Sequence, residues 1–431
     1  MTHTFARETL TDLIDGAPPA RWRTIAMGFT ANIDVLLPGG PALTARMRQW
    51  QAESSGAEAE VWRAILDAQA HCAREGRGGE LALEPAAVLH RFDTYGQART
   101  LGGTGVRAAA QAALLGQRTL VSVSAHDPLL APFLPTHLVT LAAPSFSMGN
   151  TPLPIHYVIE MPEAPSDQEV GNGPACTRRQ NRLILHGDEP LSPLIPDAFI
   201  TRLLESSPPV SILLLSGFNT YTSPTLLEHA LTDVALRLRG LKQAVSDLWI
   251  HLELAGFASP EPMRRVLNVL GPAVDAVGMN EDECAAALDP YRPMALMPPE
   301  TQFALMRDTL TKYGLERLVV HTSWMSCLLS RTPGDLGGRA IVARALALGN
   351  TAAGFRFAQG RDGTWDDLRA AARVWSASPL GITCAAAAAG RRDLVVVPAW
   401  DIQVGLATVG LGDSFTGALL TGLDPPAKEV N

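Results

Sequence analysis

The feature that most constrains the fold of this chain is a regular alternation of short apolar runs with longer helical patterns. Runs rich in Val, Ile and Leu, with the length of buried strands, occur at 24–29, 119–124, 210–216, 248–254, 273–277, 317–322 and 393–398. Patterns that favour helices occur between them, at 105–115, 223–239, 260–270, 300–313, 339–348 and 366–375. This alternation is typical of a mainly parallel sheet with helices on both faces, so we predict an α/β fold.

Two stretches interrupt the alternation. Residues 38–99 are polar and helical, and residues 138–195 contain two strand-like segments, 156–161 and 182–186, around a loop rich in Pro, Gly and acidic residues. We predict that these two insertions form one small lid domain. The main domain would then consist of residues 1–37, 100–137 and 196–431. A lid of this kind excludes water from a site when it closes.

Charge and cysteine content argue against several classes of protein. The 431 residues carry a net charge of -8 at pH 7 and contain no long run of Lys or Arg, so neither a nucleic acid nor an anionic membrane is expected as a partner. The five cysteines are scattered and never form Cys-x-x-Cys, which favours neither a disulfide framework nor a zinc site. We find no signal peptide and no apolar stretch of membrane-spanning length. We therefore expect a cytoplasmic protein.

The strongest local motif is Gly410-Leu411-Gly412-Asp413, which follows the last apolar run and leads into a helical segment. Glycines let backbone amides approach an anion closely, and a helix N-terminus adds partial positive charge, so Gly410 and Gly412 predict an anion hole. Asp413 would then be placed to accept a proton from a hydroxyl group during phosphoryl transfer. Alternatively, Asp413 only caps the helix, and the motif alone does not separate these two interpretations.

A second set of polar residues lies near the ends of two other apolar runs. His251 and Glu253 share one face of a predicted strand, and Asn280 and Glu283 stand where the next run ends and a helix begins. Ligands of open α/β sheets gather at this edge. Carboxylates near phosphate groups require a cation, so we predict Mg²⁺ bound through its waters. The alternative is a helix cap at Asn280 followed by acidic residues that the helix dipole favours.

Two shorter motifs suit a ligand with several hydroxyl groups. Asn32 and Asp34 follow the first apolar run, and each side chain is able to hold a hydroxyl group, although an Asx-turn in a loop is the simpler interpretation of the pair in isolation. Gly102 and Gly103 precede an Ala-rich helix, where glycine permits the backbone to approach a ligand or another segment.

In this order and spacing, the motifs resemble those of the ADP-dependent glucokinase and phosphofructokinase family, a branch of the ribokinase-like kinases. The family motifs Asn-x-Asp, Gly-Gly, His-x-Glu, Asn-x-x-Glu and Gly-x-Gly-Asp match Asn32 and Asp34, Gly102 and Gly103, His251 and Glu253, Asn280 and Glu283, and Gly410, Gly412 and Asp413. The resemblance extends over nearly the whole chain. It implies a ribokinase-like three-layer α/β/α domain with a smaller α+β lid.

The resemblance also implies an activity, in which the β-phosphoryl group of ADP is transferred to a hexose with Mg²⁺ present, leaving AMP. It implies that Asp413 is the general base, that Gly410 and Gly412 form the anion hole and that Arg182 holds phosphate. The metal would be contacted by Glu253, Asn280 and Glu283, and the sugar by Asn32, Asp34, Glu80, Gly102 and Gly103. The expected ligands are thus a small sugar and a nucleotide, bound by a monomer or a small homo-oligomer.

Three features bear on the acceptor sugar. The family commonly has Asn or Gln after Gly-Gly, whereas this chain has the shorter Thr104. Glu80 resembles the lid glutamate with which glucokinases of the family contact glucose. Arg178, Arg179 and Arg182 would instead suit a sugar phosphate, because a guanidinium group binds two phosphate oxygens at once. Glucose and fructose 6-phosphate therefore both remain candidates.

Two other functions remain open. One is an ATP-dependent ribokinase-like kinase that acts on another small alcohol, which the lid insertions and the His-x-Glu motif argue against. The other is a sugar- or nucleotide-binding protein of the same fold without turnover. Asp413 and its flanking glycines argue against this second alternative, since a binding protein needs no base.

Overall fold

Two β-sheets organise the chain. The computed structural model describes residues 2–16, 23–75, 78–84, 86–96, 98–123, 128–134, 139–142, 153–161, 181–187, 194–257, 259–288, 293–334 and 338–423. The predicted lid arginines Arg178 and Arg179 lie outside the described residues.

The strands and helices alternate over most of the described chain. The strands are β1 (Thr24–Gly28), β2 (Asn32–Pro38), β3 (Gly79–Ala82), β4 (Ala98–Gly102), β5 (Arg118–Ser122), β6 (Val139–Ala142), β7 (Ile155–Met161), β8 (Asn181–His186), β9 (Val210–Leu215), β10 (Trp249–Glu253), β11 (Ala276–Asn280), β12 (Arg317–His321), β13 (Met325–Ser330) and β14 (Leu394–Pro398). The α-helices are α1 (Thr2–Asp15), α2 (Pro41–Glu53), α3 (Ala57–Glu75), α4 (Thr104–Leu114), α5 (Asp197–Leu204), α6 (Pro224–Ala244), α7 (Pro260–Leu270), α8 (Glu281–Ala287), α9 (Pro299–Lys312), α10 (Arg339–Gln359), α11 (Trp365–Ala372), α12 (Pro379–Ala387) and α13 (Leu411–Gly422).

The larger sheet has the order β14-β13-β12-β11-β10-β9-β1-β5-β6 within the described residues. Its strands are parallel from β12 to β6, while β13 pairs antiparallel with both β12 and β14. The predicted α/β fold with a mainly parallel sheet is therefore confirmed. We did not predict β13, because its run at 325–330 lies close behind the preceding strand and carries two serines and a cysteine.

Alternate residues along the central strands pack against opposite layers of helices. In β9, Leu213 and Leu215 belong to the core cluster that includes residues of α5–α9 and α12. Ile212 and Leu214 belong to the cluster on the other face, which includes residues of α1, α4, α10, α11 and α13. Because successive side chains of a strand point to opposite faces, a strand buried on both sides must be apolar throughout. The molecule thus has three layers, α/β/α.

The smaller sheet has the order β3-β8-β7-β2-β4. One face carries an aromatic cluster in which Trp50 of α2 packs against Trp62 of α3 and against Phe92. The strands predicted at 156–161 and 182–186 are confirmed as β7 and β8, and they pair antiparallel.

The division into a main domain and a lid stays a prediction, but the strand pairing differs from its boundaries on both sides. Strand β2 begins at Asn32, and β4 extends over residues 100–102; these positions lie inside the predicted main domain, yet both strands belong to the smaller sheet. Strand β6, inside the predicted lid, pairs with β5 of the larger sheet. Both differences arise from long-range pairing, which a run of four to seven residues does not encode.

The strand ends bring the predicted motifs to one edge. The neighbouring strands β10, β11 and β12 end at Glu253, Asn280 and His321, with Asn280 paired to His321. Because these strands are parallel, their carboxyl ends lie side by side. None of the helices in the described part of the chain has the length and apolar character needed to cross a membrane.

Candidate active site

A cavity of about 1090 Å³ is lined by residues from both sheets. It contains nearly all residues that the sequence singled out: Asn32, Asp34, Glu80, Gly103, Arg182, Glu253, Asn280, Glu283, Gly410, Gly412 and Asp413. The exceptions are Gly102 and His251, which are buried and do not line the cavity; His251 contacts Glu253 instead. A Cβ atom at Gly102 would come within 2.0 Å of Nδ2 of Asn32, so this glycine makes room for the side chains that do line the cavity.

Asp413 faces the cavity from the first turn of α13. The residue that caps this helix is Gly410, at φ 76°, and no side chain supplies a cap hydrogen bond. Asp413 is the third helical residue, so the interpretation of Asp413 as the cap is wrong. Burial raises the pKa of the Asp413 carboxyl to about 6, although the charges of Arg356 and Arg182 and a hydrogen bond with Thr104 act in the opposite direction.

Three arginines converge on the loop that precedes α13. Nη1 of Arg182 donates to the carbonyl of Thr408 at 2.6 Å, and Nε of Arg356 donates to the carbonyl of Val409 at 2.8 Å. Nη2 of Arg107 lies 3.4 Å from the same Val409 carbonyl. Arg107 also faces the carboxylates of Asp34 and Asp413, and Arg356 pairs with Asp362. Arg182 lines the cavity, and together with the helix N-terminus it suits an anion such as a phosphate group.

Asn32 and Asp34 lie on strand β2 and not in a loop, so the Asx-turn interpretation of this pair is wrong. Nδ2 of Asn32 donates to Oδ1 of Asp34 at 2.7 Å, and Nη1 of Arg107 lies 3.1 Å from Oδ2 of Asp34. Burial raises the pKa of Asp34 to about 7, with the charge of His156 and the bond from Asn32 opposing the shift. Their polar atoms therefore offer both donors and acceptors to a ligand with hydroxyl groups.

Glu80, on β3, presents a carboxylate to the same cavity. Its Oε1 accepts a hydrogen bond from Nδ2 of Asn219 at 3.0 Å and lies 3.3 Å from Nε2 of His186. These two partners come from different parts of the chain, and they hold the carboxylate in one orientation.

Glu253 is buried between two histidines. Its two carboxylate oxygens each lie 2.9 Å from a ring nitrogen, one from His251 and one from His321. Burial alone would raise the pKa of Glu253, but the hydrogen bonds from His251 and His321 outweigh it and lower the pKa to about 2. Glu253 is therefore ionised at neutral pH.

Asn280 and Glu283 form a capping box at the start of α8. The side-chain oxygen of Asn280 accepts from the backbone amides of Asp282 and Glu283, and Glu283 accepts from the amide of Asn280, each at 2.9 Å. The cap interpretation of Asn280 is thus confirmed. Burial raises the pKa of Glu283 to about 7, and the nearby charge of Glu253 adds to the shift.

The two glutamates fit a hydrated divalent cation. Glu253 is charged and disfavours the ionised form of Glu283. A cation between the two carboxylates would relieve this repulsion. Among the described residues, no group of three or more His, Cys, Asp or Glu side chains is arranged to hold a metal ion directly.

Sequence reasoning missed three residues of the site. The sequence contains a feature that points to Arg107, because it is the only charged residue in the Ala-rich stretch 104–114. A feature also points to His321, which ends an apolar run at the same sheet edge as Glu253. No sequence feature distinguishes Arg356, which lies on α10 beyond the predicted helix 339–348, among residues of ordinary helical composition.

Comparison with known proteins agrees with this geometry. Residues 23–421 match the ADP-specific Phosphofructokinase/Glucokinase conserved region. An ADP-specific phosphofructokinase of Thermococcus kodakarensis is 28% identical over 217 residues, which cover 47% of this chain and 46% of that protein. The ADP-specific phosphofructokinase of Thermococcus zilligii is 28% identical over 187 residues, or 40% of each chain. The alignments therefore span less than half the length of these curated relatives.

Among solved structures, an ADP-dependent kinase in complex with fructose-6-phosphate and ADPβS superimposes with a TM-score of 0.71 at 15% identity, covering 99% of this chain and 98% of that one. At this identity the likeness shows a shared fold, and it confirms the ribokinase-like fold class that the motifs implied. Because the conserved region extends over residues 23–421 of 431, the chain belongs to the ADP-specific phosphofructokinase/glucokinase family.

Proposed function

We propose that this protein is an ADP-dependent sugar kinase that transfers the β-phosphoryl group of ADP to a hexose hydroxyl, releasing AMP and the phosphorylated sugar. The observation that carries the proposal is the position of Asp413: it lies in the first turn of α13, beside three guanidinium groups, in the cavity that also contains Asn32 and Asp34. A base beside an electropositive anion hole is the arrangement that phosphoryl transfer to an alcohol requires.

Asp413 acts as the general base in this proposal. With a pKa of about 6, it is mostly ionised at neutral pH and is able to accept the proton that the sugar hydroxyl loses as it attacks phosphorus. The N-terminus of α13 and Arg182 stabilise the negative charge on the phosphoryl oxygens. Asp34 and Asn32 orient the sugar, so that the attacking hydroxyl faces Asp413.

A bound Mg²⁺ would neutralise charge on the diphosphate, and Glu253 and Glu283 are the residues that would hold it through its waters. The two histidines beside Glu253 keep that carboxylate ionised and fix its direction. Asn280 contributes by holding α8, since its side-chain oxygen already accepts two backbone amides.

For the acceptor we propose glucose. Glu80 and Asp34 place two carboxyl groups in the cavity wall, where they accept hydrogen bonds from hydroxyl groups and repel a second phosphate. Fructose 6-phosphate is the second candidate, because two curated relatives are named ADP-specific phosphofructokinase. We further propose that the reaction takes place in the cytoplasm, and that the smaller sheet with α2 and α3 acts as the lid.

The experiment crosses two donors, ADP and ATP, with two acceptors, glucose and fructose 6-phosphate, using purified protein and Mg²⁺. AMP and the phosphorylated sugar are measured directly. We expect AMP and glucose 6-phosphate from the pair of ADP and glucose. Turnover with ATP alone would replace the proposal by an ATP-dependent kinase, and tight ligand binding without turnover under every condition would indicate a binding protein.

A further inference from the structure

Arg107 is a buried cation that two carboxyl groups share. Its side chain is 3% exposed. Nη1 lies 3.1 Å from Oδ2 of Asp34, and Nε lies 3.4 Å from Oδ2 of Asp413. One guanidinium group therefore connects the carboxyl group that we assign to sugar binding with the one that we assign to proton transfer.

The guanidinium group is held in one place. Its third nitrogen, Nη2, lies 3.4 Å from the carbonyl of Val409, and the backbone amide of Arg107 donates to the carbonyl of Gly103 at 3.0 Å in the first turn of α4. A Cβ atom at Gly410 would lie only 2.3 Å from Cζ of Arg107, so the guanidinium group rests directly against this glycine. Any substituent at Gly410 would displace it.

The physical need for a cation at this point follows from the burial of two acidic groups. Carboxylates in a site that excludes water repel each other and are costly to ionise, unless a positive charge lies between them. A guanidinium group is suited to this position, because its planar fork reaches two carboxylates and a carbonyl from one fixed centre. An ammonium group is a point charge and does not reproduce that geometry.

We propose that Arg107 is a positioning residue that acts through Asp34 and Asp413, aligning the base with the sugar-binding carboxyl group and favouring the ionised form of both. This inference rests on the proposed kinase function. It assigns a role to a residue on α4 that none of the recognised motifs includes.

Other groups also act on the two carboxyls. Asp413 is additionally influenced by Arg356 of α10, Arg182 of β8, Glu253 of β10 and a hydrogen bond with Thr104 of α4. Asp34 is influenced by His156 of β7, Asn32 of β2, Arg182 and Asp413 itself. Since Arg182 and Arg356 remain when Arg107 is replaced, we expect a shifted titration of Asp413 and not the loss of its charge.

The test compares R107Q and R107K with a matched control, R23Q. Arg23 is as deeply buried as Arg107 and contacts the same helix α13, but it binds the carbonyls of Leu420 and Leu423 at the far end. For R107Q we expect kcat to fall about 100-fold through misplacement of the base. The rise of kcat/KM for the sugar on the acid side of its pH profile, here called the acid limb, should move up by about one pH unit or more. The KM for ADP should remain within about twofold.

R107K should restore the position of the acid limb, because lysine restores the positive charge. Its kcat should recover only in part, because an ammonium group does not reproduce the planar fork of the guanidinium group. R23Q should lose thermal stability without moving the acid limb. The proposal is overturned if R107Q keeps the wild-type acid limb, or if R107Q and R23Q show the same pattern of changes.

A second readout separates this proposal from the proposed function. If the wild-type protein phosphorylates no sugar, the kinase proposal fails, and the role of Arg107 is tested by unfolding at pH 5 and pH 8. Without Arg107 the folded-state pKa values of Asp34 and Asp413 rise further above their unfolded values, so the additional stability loss develops as the pH rises. The difference between R107Q and wild type should grow from pH 5 to pH 8, whereas that of R23Q should stay constant. A difference for R107Q that does not change with pH would refute the charge-sharing role.

Discussion

Asp413 shows how a common side chain acquires a specific chemical property from its surroundings. Burial disfavours the carboxylate form, while the neighbouring guanidinium groups favour it, and the balance leaves a pKa of about 6. The same residue on an exposed helix would titrate near 3.8. Its environment therefore makes it a stronger proton acceptor that is still ionised at neutral pH.

Replacement of Asp413 by Asn should abolish most turnover. The amide has nearly the same shape but accepts no proton, so we expect kcat to fall by about 1000-fold, with little change in nucleotide or sugar binding. Steady-state kinetics and calorimetric binding measure the two effects separately. S414A is the matched control: Ser414 is the next residue of α13 and hydrogen-bonds to Asp362, outside the cavity wall. Near-normal turnover in D413N would remove Asp413 as the base.

The pH dependence of kcat/KM for the sugar should report the same carboxyl group. Its pKa is raised, and only the ionised form accepts a proton, so kcat/KM should rise with pH through about pH 6. A pH–rate profile between pH 4.5 and 8.5 checks this, with saturating ADP and with the sugar below its KM at every point. An acid limb near the ordinary carboxyl value, well below pH 5, would contradict the burial of this group.

Helix α8 shows how one segment serves stability and the site together. Its capping box satisfies backbone amides that would otherwise lack partners, and it directs Glu283 into the cavity. Helix α11 begins with a second capping box, in which Thr364 corresponds to Asn280 and Asp367 to Glu283. Neither Thr364 nor Asp367 lines the cavity. The described part of the chain therefore contains two similar caps, and of these two the one at α8 lies at the site.

Removal of the two caps should separate stability from function. N280A and T364A should each lower the free energy of unfolding by about 1 kcal/mol, because each leaves helix amides without their acceptor. Only N280A should also raise the Mg²⁺ concentration needed for half-maximal activity, since it releases Glu283 from its place. Denaturant unfolding and metal titration of both variants measure the two quantities. Equal Mg²⁺ requirements would show that the cap has no influence on the metal site.

On the scale of the whole molecule, two hydrogen bonds connect the smaller sheet to the loop before α13. The hydroxyl of Thr408 donates to Oε1 of Glu160 on β7 at 3.0 Å, and Arg182 on β8 donates to the carbonyl of Thr408. One residue of this loop is thus held by two strands of the other sheet. If the smaller sheet acts as the proposed lid, such a connection favours its closed arrangement, which would keep water from the phosphoryl group.

T408V should weaken this closure with minimal change in volume. It removes the hydroxyl that binds Glu160 but keeps the carbonyl that binds Arg182, so we expect a several-fold increase in sugar KM. We also expect more hydrolysis of ADP relative to sugar phosphorylation, because water enters more easily. Product analysis with and without sugar measures this ratio. T383V is the control: Thr383 lies on α12, and its hydroxyl donates to the carbonyl of Pro379 in the same helix. An unchanged ratio would argue against a role for this contact in closure.

The elements that were predicted correctly are those with a strong local pattern. Strand β1 and helix α7 agree with the predicted segments to within one residue, because apolar spacing over one element reports its own burial. Helix α1 was not predicted, since most of its residues are polar and its apolar residues, among them the buried Leu10 and Ile14, form only a short pattern. Such a helix is stabilised by packing against α10 and α11, which lie more than 300 residues away in sequence.

The sequence by itself determined the α/β class, the motif residues and the family, because each of these depends on residue type and spacing within short segments. The tertiary structure alone decided that Arg107 reaches Asp34, 73 residues away, and the carbonyl of Val409, 302 residues away. It also decided that Asn280 is a cap and that Gly102 lies behind the cavity. The physical reason is that contacts between distant segments depend on how helices and sheets pack, and no local pattern specifies the partner of a buried charge.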